Sequence, residues 1–438
     1  MKRALVVILI VSSLPAAAWA TPYDTFGMGP RAIAMGGAYA AVGGDTSALY
    51  YNTAALVRAY PFHIELGYKR GDMVITFNDE QADIDSERGV SFGAIVGKTF
   101  MNRRLRIAGS IYTPDDHFMR FMLPTRTSPY VLRYNNENHT QATLLGAGGE
   151  IFPWWSVGVG ASFVSGNIGG VDFALYEDKP AEGNLTSRLA GDLVPNFGTM
   201  FTPTDWLTIG LSYRSKREQQ LGLPNRIAFP ELKVLMDNGI VVFHDGRLVL
   251  HVLSFTHFSP RQIELGVAVQ PNERWLLSLD ATHYAYSEMK TNVANSKAVM
   301  EGDFGEVFPT GPDLEIPEPK LHDIIGVAAG TEYAAVYDTV FKLHLRGGYT
   351  YRPTPAPEQS GPLNLFDSDL HIFSAGLGFT FAEFSKVFPA PISINVYDQF
   401  HYLEPRVMHK ESATSDVGDV EFRGTANVVG GGLVLRFQ

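Results

Sequence analysis

Apolar and polar residues alternate along most of the chain after about residue 60. In residues 62–69, the apolar side chains of FHIELGYK fall on one face of an extended segment and the polar ones on the other. The same period of two recurs at 155–163, 207–214 and 373–381, and it is typical of β-strands. It fits a soluble sandwich with its apolar face inward and a membrane barrel with that face in lipid. The pattern alone leaves both open.

The lengths of the connections separate these two possibilities. We predict strands near residues 62–70, 90–99, 103–113, 139–152, 154–165, 186–202, 205–215, 260–270, 273–287, 320–334, 339–352, 368–382, 391–403 and 422–437. The links between them are alternately long and short. Long loops at one end and tight turns at the other, with an even strand number, are typical of outer-membrane barrels. The sequence therefore predicts an all-β fold, a transmembrane antiparallel β-barrel of about 14 strands over residues 61–438.

The stretch from Phe26 to Leu56 does not follow this alternation. It is rich in glycine and other small residues and carries almost no charge. Its glycines disfavour a helix, and it has too few large apolar side chains to span a bilayer as one. A barrel of fourteen strands encloses a lumen that wall side chains do not fill. We therefore predict that residues 21–60 form an N-terminal hatch, or plug, in the lumen.

Two motifs in this stretch resemble a known family. RAIAMGGA at 31–38 and GGDTSALYYN at 43–52 are similar to the hatch of the long-chain fatty acid transporter (FadL/TodX, OMPP1) family of outer-membrane proteins. Members usually have Asn-Pro-Ala where this chain has Asn52-Thr53-Ala54, and the missing proline removes a fixed φ. The resemblance implies a plugged barrel that takes up hydrophobic compounds and releases them sideways through a kink in the third strand. The hatch residues that we single out are Phe26, Met28, Gly36, Gly37 and Asn52.

The first twenty residues and the composition agree with an outer-membrane location in a Gram-negative cell. Lys2 and Arg3, an apolar run and the small-residue site Ala18-Trp19-Ala20 predict a signal peptide over 1–20. Without Lys2 and Arg3, 33 basic and 46 acidic residues remain, a formal net charge of −13, which argues against nucleic acid as a partner. The expected surroundings are outer-membrane lipid and lipopolysaccharide, and the expected state is a monomer.

The sequence contains no arrangement that predicts an enzyme. Gly-x-Ser-x-Gly is matched at 89–93, but at the start of a predicted strand and not at the strand-to-helix turn of a nucleophile elbow. The 12 histidines show no His-x-x-x-His spacing on a helix. Without cysteine no thiolate metal site is possible. We predict no catalytic residue, no metal and no cofactor.

Two long loops carry many apolar side chains. Water-facing loops do not expose so much apolar surface without a cause. One interpretation is an external groove that captures the ligand, as the resemblance implies; the other is a lid that packs on itself. In the second of these loops, residues 216–259 after the first at 166–185, the sequence also predicts a hairpin about the turn His244-Asp-Gly246. The groove candidates are Phe173, Leu175, Tyr176, Leu221, Leu223, Ile227, Phe229, Leu232 and Leu235.

Alternation places several cations on the luminal face of the predicted strands. They are candidates for the carboxylate of an amphipathic acid, since Arg offers a bidentate fork; the alternative is that they pair with luminal acids and hatch carbonyls and hold the plug. Gly109, inside the third strand, is the candidate lateral gate because glycine within a strand often marks a kink, and a packing role is the alternative. The candidate head-group residues are Arg106, Arg214, Lys342 and Arg346.

These observations predict passive uptake of hydrophobic compounds across the outer membrane, with long-chain fatty acids or a similar lipophilic molecule as the ligand. The predicted steps are capture on the loops, binding in the lumen, rearrangement of the hatch and lateral release. A barrel of the same superfamily that acts as a protein-secretion accessory or shuttle is the principal alternative. A hydrophilic porin is a further alternative, and the alternation of loop lengths disfavours a soluble sandwich.

Overall fold

The computed structural model describes residues 23–82, 84–115, 130–134, 141–174, 182–229, 232–236, 239–289, 295–307, 319–358, 365–382, 391–409 and 419–437. Fourteen of its strands form the wall of a barrel. In chain order they are β1 (Phe62–Phe77), β2 (Glu87–Phe100), β3 (Arg103–Pro114), β4 (Ala142–Phe152), β5 (Trp155–Ala174), β6 (Glu182–Thr204), β7 (Leu207–Arg214), β8 (Arg261–Asn272), β9 (Trp275–Ala285), β10 (Ile324–Tyr337), β11 (Phe341–Arg352), β12 (Leu370–Phe381), β13 (Ile392–Met408) and β14 (Val420–Phe437).

The wall is closed and antiparallel throughout. Each strand pairs with its neighbours in sequence. β1 pairs with β14 in an unbroken register from Phe62 opposite Phe437 to Phe77 opposite Phe422. Closure satisfies every strand edge, which the hydrocarbon core of a bilayer requires. The predicted fold class and all fourteen predicted strands are confirmed.

The two faces of the wall differ as the alternation predicts. On β1, His63 and Glu65 are buried inside, whereas Leu66 and Tyr68 are each 46% exposed on the outside. Aromatic rings gather near the short turns, where Trp155 and Phe201 stack with ring centroids 5.9 Å apart. An apolar outer band bounded by aromatic residues is the lipid-facing surface of an outer-membrane barrel. No helix in the described ranges is long and apolar enough to cross a membrane.

Two predictions about the long loops are wrong. Residues 166–174 and 182–185, predicted as a loop, continue the antiparallel pairing of β5 with β6. Residues 246–259 do not form a hairpin with 240–243; they pair with 217–229 and 295–302, while 239–243 pairs with 232–236. At Gly109 there is no bulge, because β3 pairs with both neighbours through this residue without a register shift. Above the membrane, backbone groups are satisfied by pairing between loop segments, and the partners of 246–259 are not the segment nearest to it in sequence.

Residues 23–60, called here the N-terminal segment, lie inside the ring of strands. They form α1 (Tyr23–Phe26), α2 (Pro30–Ala34), α3 (Ala48–Tyr51) and a 3₁₀ helix (Thr53–Arg58), and a fourth short helix, α4 (Asp303–Val307), lies in a loop. Most of the segment's side chains are buried. The segment and the inner wall together form the core of the molecule.

Candidate functional site

The backbone of the N-terminal segment lies directly against luminal glycines of the wall. A methyl group added at Gly348 of β11 would collide with the backbone of Gly36, and one at Gly158 of β5 would collide with that of Thr53. Gly36 itself has φ of 66°, a conformation that favours glycine. The luminal glycines of the wall thus create the space in which the segment fits.

An ion-pair network joins α2 to the wall. The Arg31 guanidinium donates to both carboxylate oxygens of Glu332 on β10, at 2.7 and 2.9 Å. Arg346 of β11, directly opposite Glu332 in the ladder, donates to the same carboxylate at 2.6 Å and to Asn395 at 2.8 Å. One carboxylate therefore bridges two cations, one from the segment and one from the wall.

The predicted hatch residues lie within the segment's buried contacts. Phe26 and Met28 are buried, and Gly36 and Gly37 both have positive φ. The Asn52 amide donates to Ala40 of the segment at 2.8 Å and to the Thr199 carbonyl of β6 at 3.1 Å. Asn52 therefore links the fold of the segment to the wall.

The carboxylate of Asp24 in α1 is bound at the end of the barrel where the long loops begin. Arg214 at the end of β7 donates to it at 2.9 Å, and Arg217 lies 3.5 Å away. The Arg352 guanidinium of β11 donates to the Asp24 carbonyl at 2.7 Å. Burial raises the pKa of Asp24, but attraction by Arg214 and Arg217 together with hydrogen bonds from Tyr50 and Ser259 outweighs burial and holds that pKa below its ordinary value. Asp24 is thus an anion inside the barrel.

Lys69 of β1 lies in a cage of aromatic rings next to α1. Its Nζ is 4.5 Å from the ring centroid of Tyr112, 5.2 Å from that of Phe26 and 5.7 Å from that of Tyr23. Lys69 is 6% exposed, and within the described ranges its Nζ has no hydrogen-bond acceptor. Ring faces attract a desolvated ammonium. Lys69 therefore holds both rings of α1 against the wall.

Two small cavities lie between α1 and the wall. The larger, of about 40 Å³, is lined by Tyr23, Phe26 and Tyr50 of the segment and by Arg214 and Arg352 of the wall, among others. The smaller, of about 10 Å³, adjoins Asp24 and shares Arg352 with the first. Aromatic rings beside guanidinium groups suit a molecule with an apolar body and a polar or anionic end.

The four predicted head-group cations lie in different places. Arg214 lines the larger cavity, and Arg346 is paired with Glu332 as described. Arg106 donates to the Ala59 carbonyl of the segment at 3.0 Å. Lys342 lies 4.2 Å from the ring centroid of Tyr337, near a short turn. The contacts of Arg106, Arg214 and Arg346 are those of the alternative role, in which luminal cations hold the segment, whereas Lys342 contacts only the wall.

For most of the predicted groove residues the structure describes no side chain. Leu175 and Tyr176 lie outside the described residues, and only the backbone is described for Phe173, Leu221, Leu223, Leu232 and Leu235. Ile227 pairs with Leu248 and with Phe173 through the backbone. Phe229 contacts Phe304 of α4, with ring centroids 5.4 Å apart. The groove and its role as a capture surface stay a prediction, as does the gate at Gly109.

Sequence reasoning missed Asp24, Lys69, Arg352 and Glu332 as site residues. Lys69 and Glu332 had a usable signal. Lys69 alternates with the apolar residues of β1, and Glu332 lies directly across the ladder from Arg346. Asp24 had none, because it precedes the glycine-rich motifs and its partners are distant in sequence.

The closed wall and the apolar outer band define this protein as an outer-membrane β-barrel, and the N-terminal segment lies inside it. Comparison with known proteins gives the family. The model of the family described as outer membrane protein transport protein (OMPP1/FadL/TodX) matches residues 180–394, and the chain belongs to this family. No curated protein sequence matches the chain.

Solved structures of similar fold cover almost the whole chain at low sequence identity. A FadL homologue of Pseudomonas aeruginosa superposes with a TM-score of 0.57 at 16% identity, over 96% of this chain and all of that one. The toluene transporter TodX of Pseudomonas putida gives 0.56 at 16% identity over 95% and 100%. The toluene transporter TbuX of Ralstonia pickettii gives 0.54 at 17% identity over 95% and 100%. At these identities the likeness concerns the fold.

Proposed function

We propose that this barrel carries long-chain fatty acids, or acids of similar shape, passively across the outer membrane. The observation that carries the proposal is the pair of luminal cavities between α1 and the wall, where aromatic rings adjoin Arg214 and Arg352. An acyl chain needs an apolar slot, and its carboxylate needs a guanidinium or hydroxyl donor. The protein acts as a monomer among outer-membrane lipid and lipopolysaccharide, and its family consists of transport proteins rather than enzymes.

The size of the cavities supports a mechanism in which the N-terminal segment rearranges. An apolar cavity of about 150 Å³ is large enough for benzene, whereas the larger cavity here has about 40 Å³. A ligand therefore enters only when α1 moves away from the wall. The proposed route is capture on the long loops, binding beside α1, movement of the segment and sideways release near Gly109.

A second candidate ligand class is favoured by the structural likeness to toluene transporters. A monoaromatic hydrocarbon has no anionic end, so it would use the aromatic rings of the cavity and leave the guanidinium groups unused. Both candidates are hydrophobic compounds and share the same barrel. They differ in whether Arg214 and Arg352 contact the ligand.

Proteoliposomes containing the purified barrel test the proposal. We expect uptake of radiolabelled oleate above that of protein-free vesicles, and no swelling with small sugars. Uptake of toluene without uptake of oleate would show that the ligand is a hydrocarbon and not an acid, while the proposal of a hydrophobic channel would stand. Sugar permeation would favour a hydrophilic porin. Binding of a protein substrate without uptake of either lipophile would favour the secretion accessory.

A further inference from the structure

The contacts of the Asp24 carboxylate are those of a complete carboxylate-binding site. Besides Arg214 at 2.9 Å and Arg217 at 3.5 Å, the carboxylate accepts hydrogen bonds from Tyr50 at 2.6 Å, Ser259 at 2.9 Å and Gln262 at 3.2 Å. We call these five residues, four hydrogen-bond donors and the ion-pair partner Arg217, the Asp24 cradle. Two guanidinium groups with three neutral donors satisfy both oxygens of a carboxylate and neutralise its charge.

The donors and the bound carboxylate belong to different parts of the molecule. All donors except Tyr50 come from the wall or from loop strands next to it. The carboxylate comes from α1, a single helical turn of four residues at the outer end of the segment. Both cavities adjoin this position, since Arg214 and Gln262 line the larger and Asp24 and Gln262 line the smaller. A molecule in either cavity would lie next to the cradle.

We propose that the Asp24 cradle is the binding site for the carboxylate of the transported acid, and that Asp24 occupies it as an internal substitute until the ligand arrives. A free carboxylate displaces Asp24, and α1 then leaves the wall and enlarges the cavity for the acyl chain. This inference rests on the proposed function and adds a selectivity to it. Acids compete with Asp24, whereas neutral hydrocarbons and esters do not.

Two matched ligands and two matched variants test the competition. Oleate and methyl oleate have the same chain but differ in the carboxylate, and their affinities for the detergent-solubilised barrel are measured by titration calorimetry. Asp24→Asn keeps the size of the side chain and removes the charge that binds Arg214. Asp45→Asn is the control, because Asp45 is buried in the same segment and accepts from Tyr39 and the Ser47 amide.

We expect Asp24→Asn to raise the affinity for oleate about tenfold, a coupling of ordinary size, and to raise the affinity for methyl oleate by a smaller factor, because the ester gains from the loosened α1 but not from the vacated cradle. We expect Asp45→Asn to change neither the affinity for oleate nor that for methyl oleate. Adding Arg214→Gln to Asp24→Asn removes the gain for oleate. An equal response of acid and ester, or an unchanged oleate affinity in a folded Asp24→Asn barrel, would overturn the inference and keep the hydrophobic channel. Binding of neither ligand to the wild-type barrel would overturn the proposed function as well.

Hydrogen exchange of the wild-type barrel provides a test that does not depend on the folding of a variant. We expect oleate to increase exchange of the amides in residues 23–27 more than methyl oleate does at equal occupancy, because only the acid also competes with Asp24 for its cradle. If oleate binds and protects these amides, Asp24 stays in its cradle and the inference is wrong.

Discussion

The outer end of the N-terminal segment and the rest of the segment are held in different ways. Residues 23–27, the outer end, are held by side-chain contacts in the Asp24 cradle and the Lys69 cage. The two cavities adjoin these contacts. Residues 30–58, called here the body, are held by Arg31, Asn52 and Arg58, and their backbone lies against luminal glycines such as Gly158 and Gly348.

This difference indicates which part a ligand can displace. A carboxylate competes for guanidinium groups and an apolar chain competes for aromatic rings, so both can replace the contacts of the outer end. Neither can replace a backbone packed against a glycine, because no space is left there. We therefore expect the body to stay in place while the outer end moves. Opening free energies from amide hydrogen exchange measure both parts on one scale.

The largest expected effect is that of Glu332→Gln on the body. Removing this carboxylate leaves the buried Arg346 and the half-buried Arg31 without their shared anion, which lowers the free energy of opening by about 3 kcal/mol. Exchange of amides in 30–43 should therefore rise roughly a hundredfold, with a smaller change in 23–27. Glu358→Gln is the control, because Glu358 is 59% exposed and lies 3.6 Å from Arg406 in a solvated pair. Equal exchange in both variants would mean that the network does not hold the segment.

For Gly348→Ala we expect a smaller loss in the free energy of unfolding, about 2 kcal/mol, because the added methyl group overpacks the site. The new methyl group would displace Gly36 and loosen the body. The control is the neighbouring Gly347→Ala, whose methyl group would meet no atom closer than 3.9 Å. The measurement is the urea midpoint of each barrel in lipid vesicles together with its ion conductance. If Gly348→Ala and Gly347→Ala had the same urea midpoint and the same conductance, the barrel would accommodate a methyl group at Gly348 without loss of stability.

The effect of Lys69→Met should be confined to the outer end. The change removes the ammonium from the rings of Tyr23 and Phe26, and we expect the opening free energy of the outer end to fall by about 1 kcal/mol. Exchange in 23–27 should rise about fivefold while that in 30–58 stays the same. Lys342→Met removes a comparable ring contact, with Tyr337, away from the segment and serves as the control. A uniform rise over the whole segment would contradict the division into two parts.

The sequence predicts the wall better than the loops, for a physical reason. Each wall strand is specified by a period of two that separates lipid from lumen, and the bilayer makes this separation costly to violate. Residues 217–229 and 246–259 have alternating apolar residues too, but no bilayer fixes their register. Their pairing is decided by distant segments, so the local turn Asp245-Gly246 gives the wrong partner.

The same limit applies to the site. Alternation predicts correctly that Arg214 and Arg346 face the lumen, but it does not identify the group that each one meets. The partner of Arg346 could be found from the ladder register, since Glu332 lies opposite. The partner of Arg214 could not, because Asp24 is 190 residues away in sequence and reaches it only when the segment is folded inside the barrel.

The smallest expected effect comes from fixing the body to the wall by a disulfide. The chain has no cysteine, so Thr46→Cys with Gly93→Cys introduces one defined pair. A Cβ built at Gly93 lies 3.0 Å from Cβ of Thr46, and a shift of a few tenths of an ångström brings it to the range of about 3.5–4.5 Å for disulfides.

We expect the oxidised double variant to take up oleate within about twofold of its reduced form, since the ligand displaces α1 and not the body. The two single-cysteine variants control for the loss of the Thr46 hydroxyl, which donates to Glu65. Exchange in 23–27 should still rise with oleate while the body stays protected. If oxidation stopped uptake and reduction restored it, the whole segment would have to move, and the two parts would act as one.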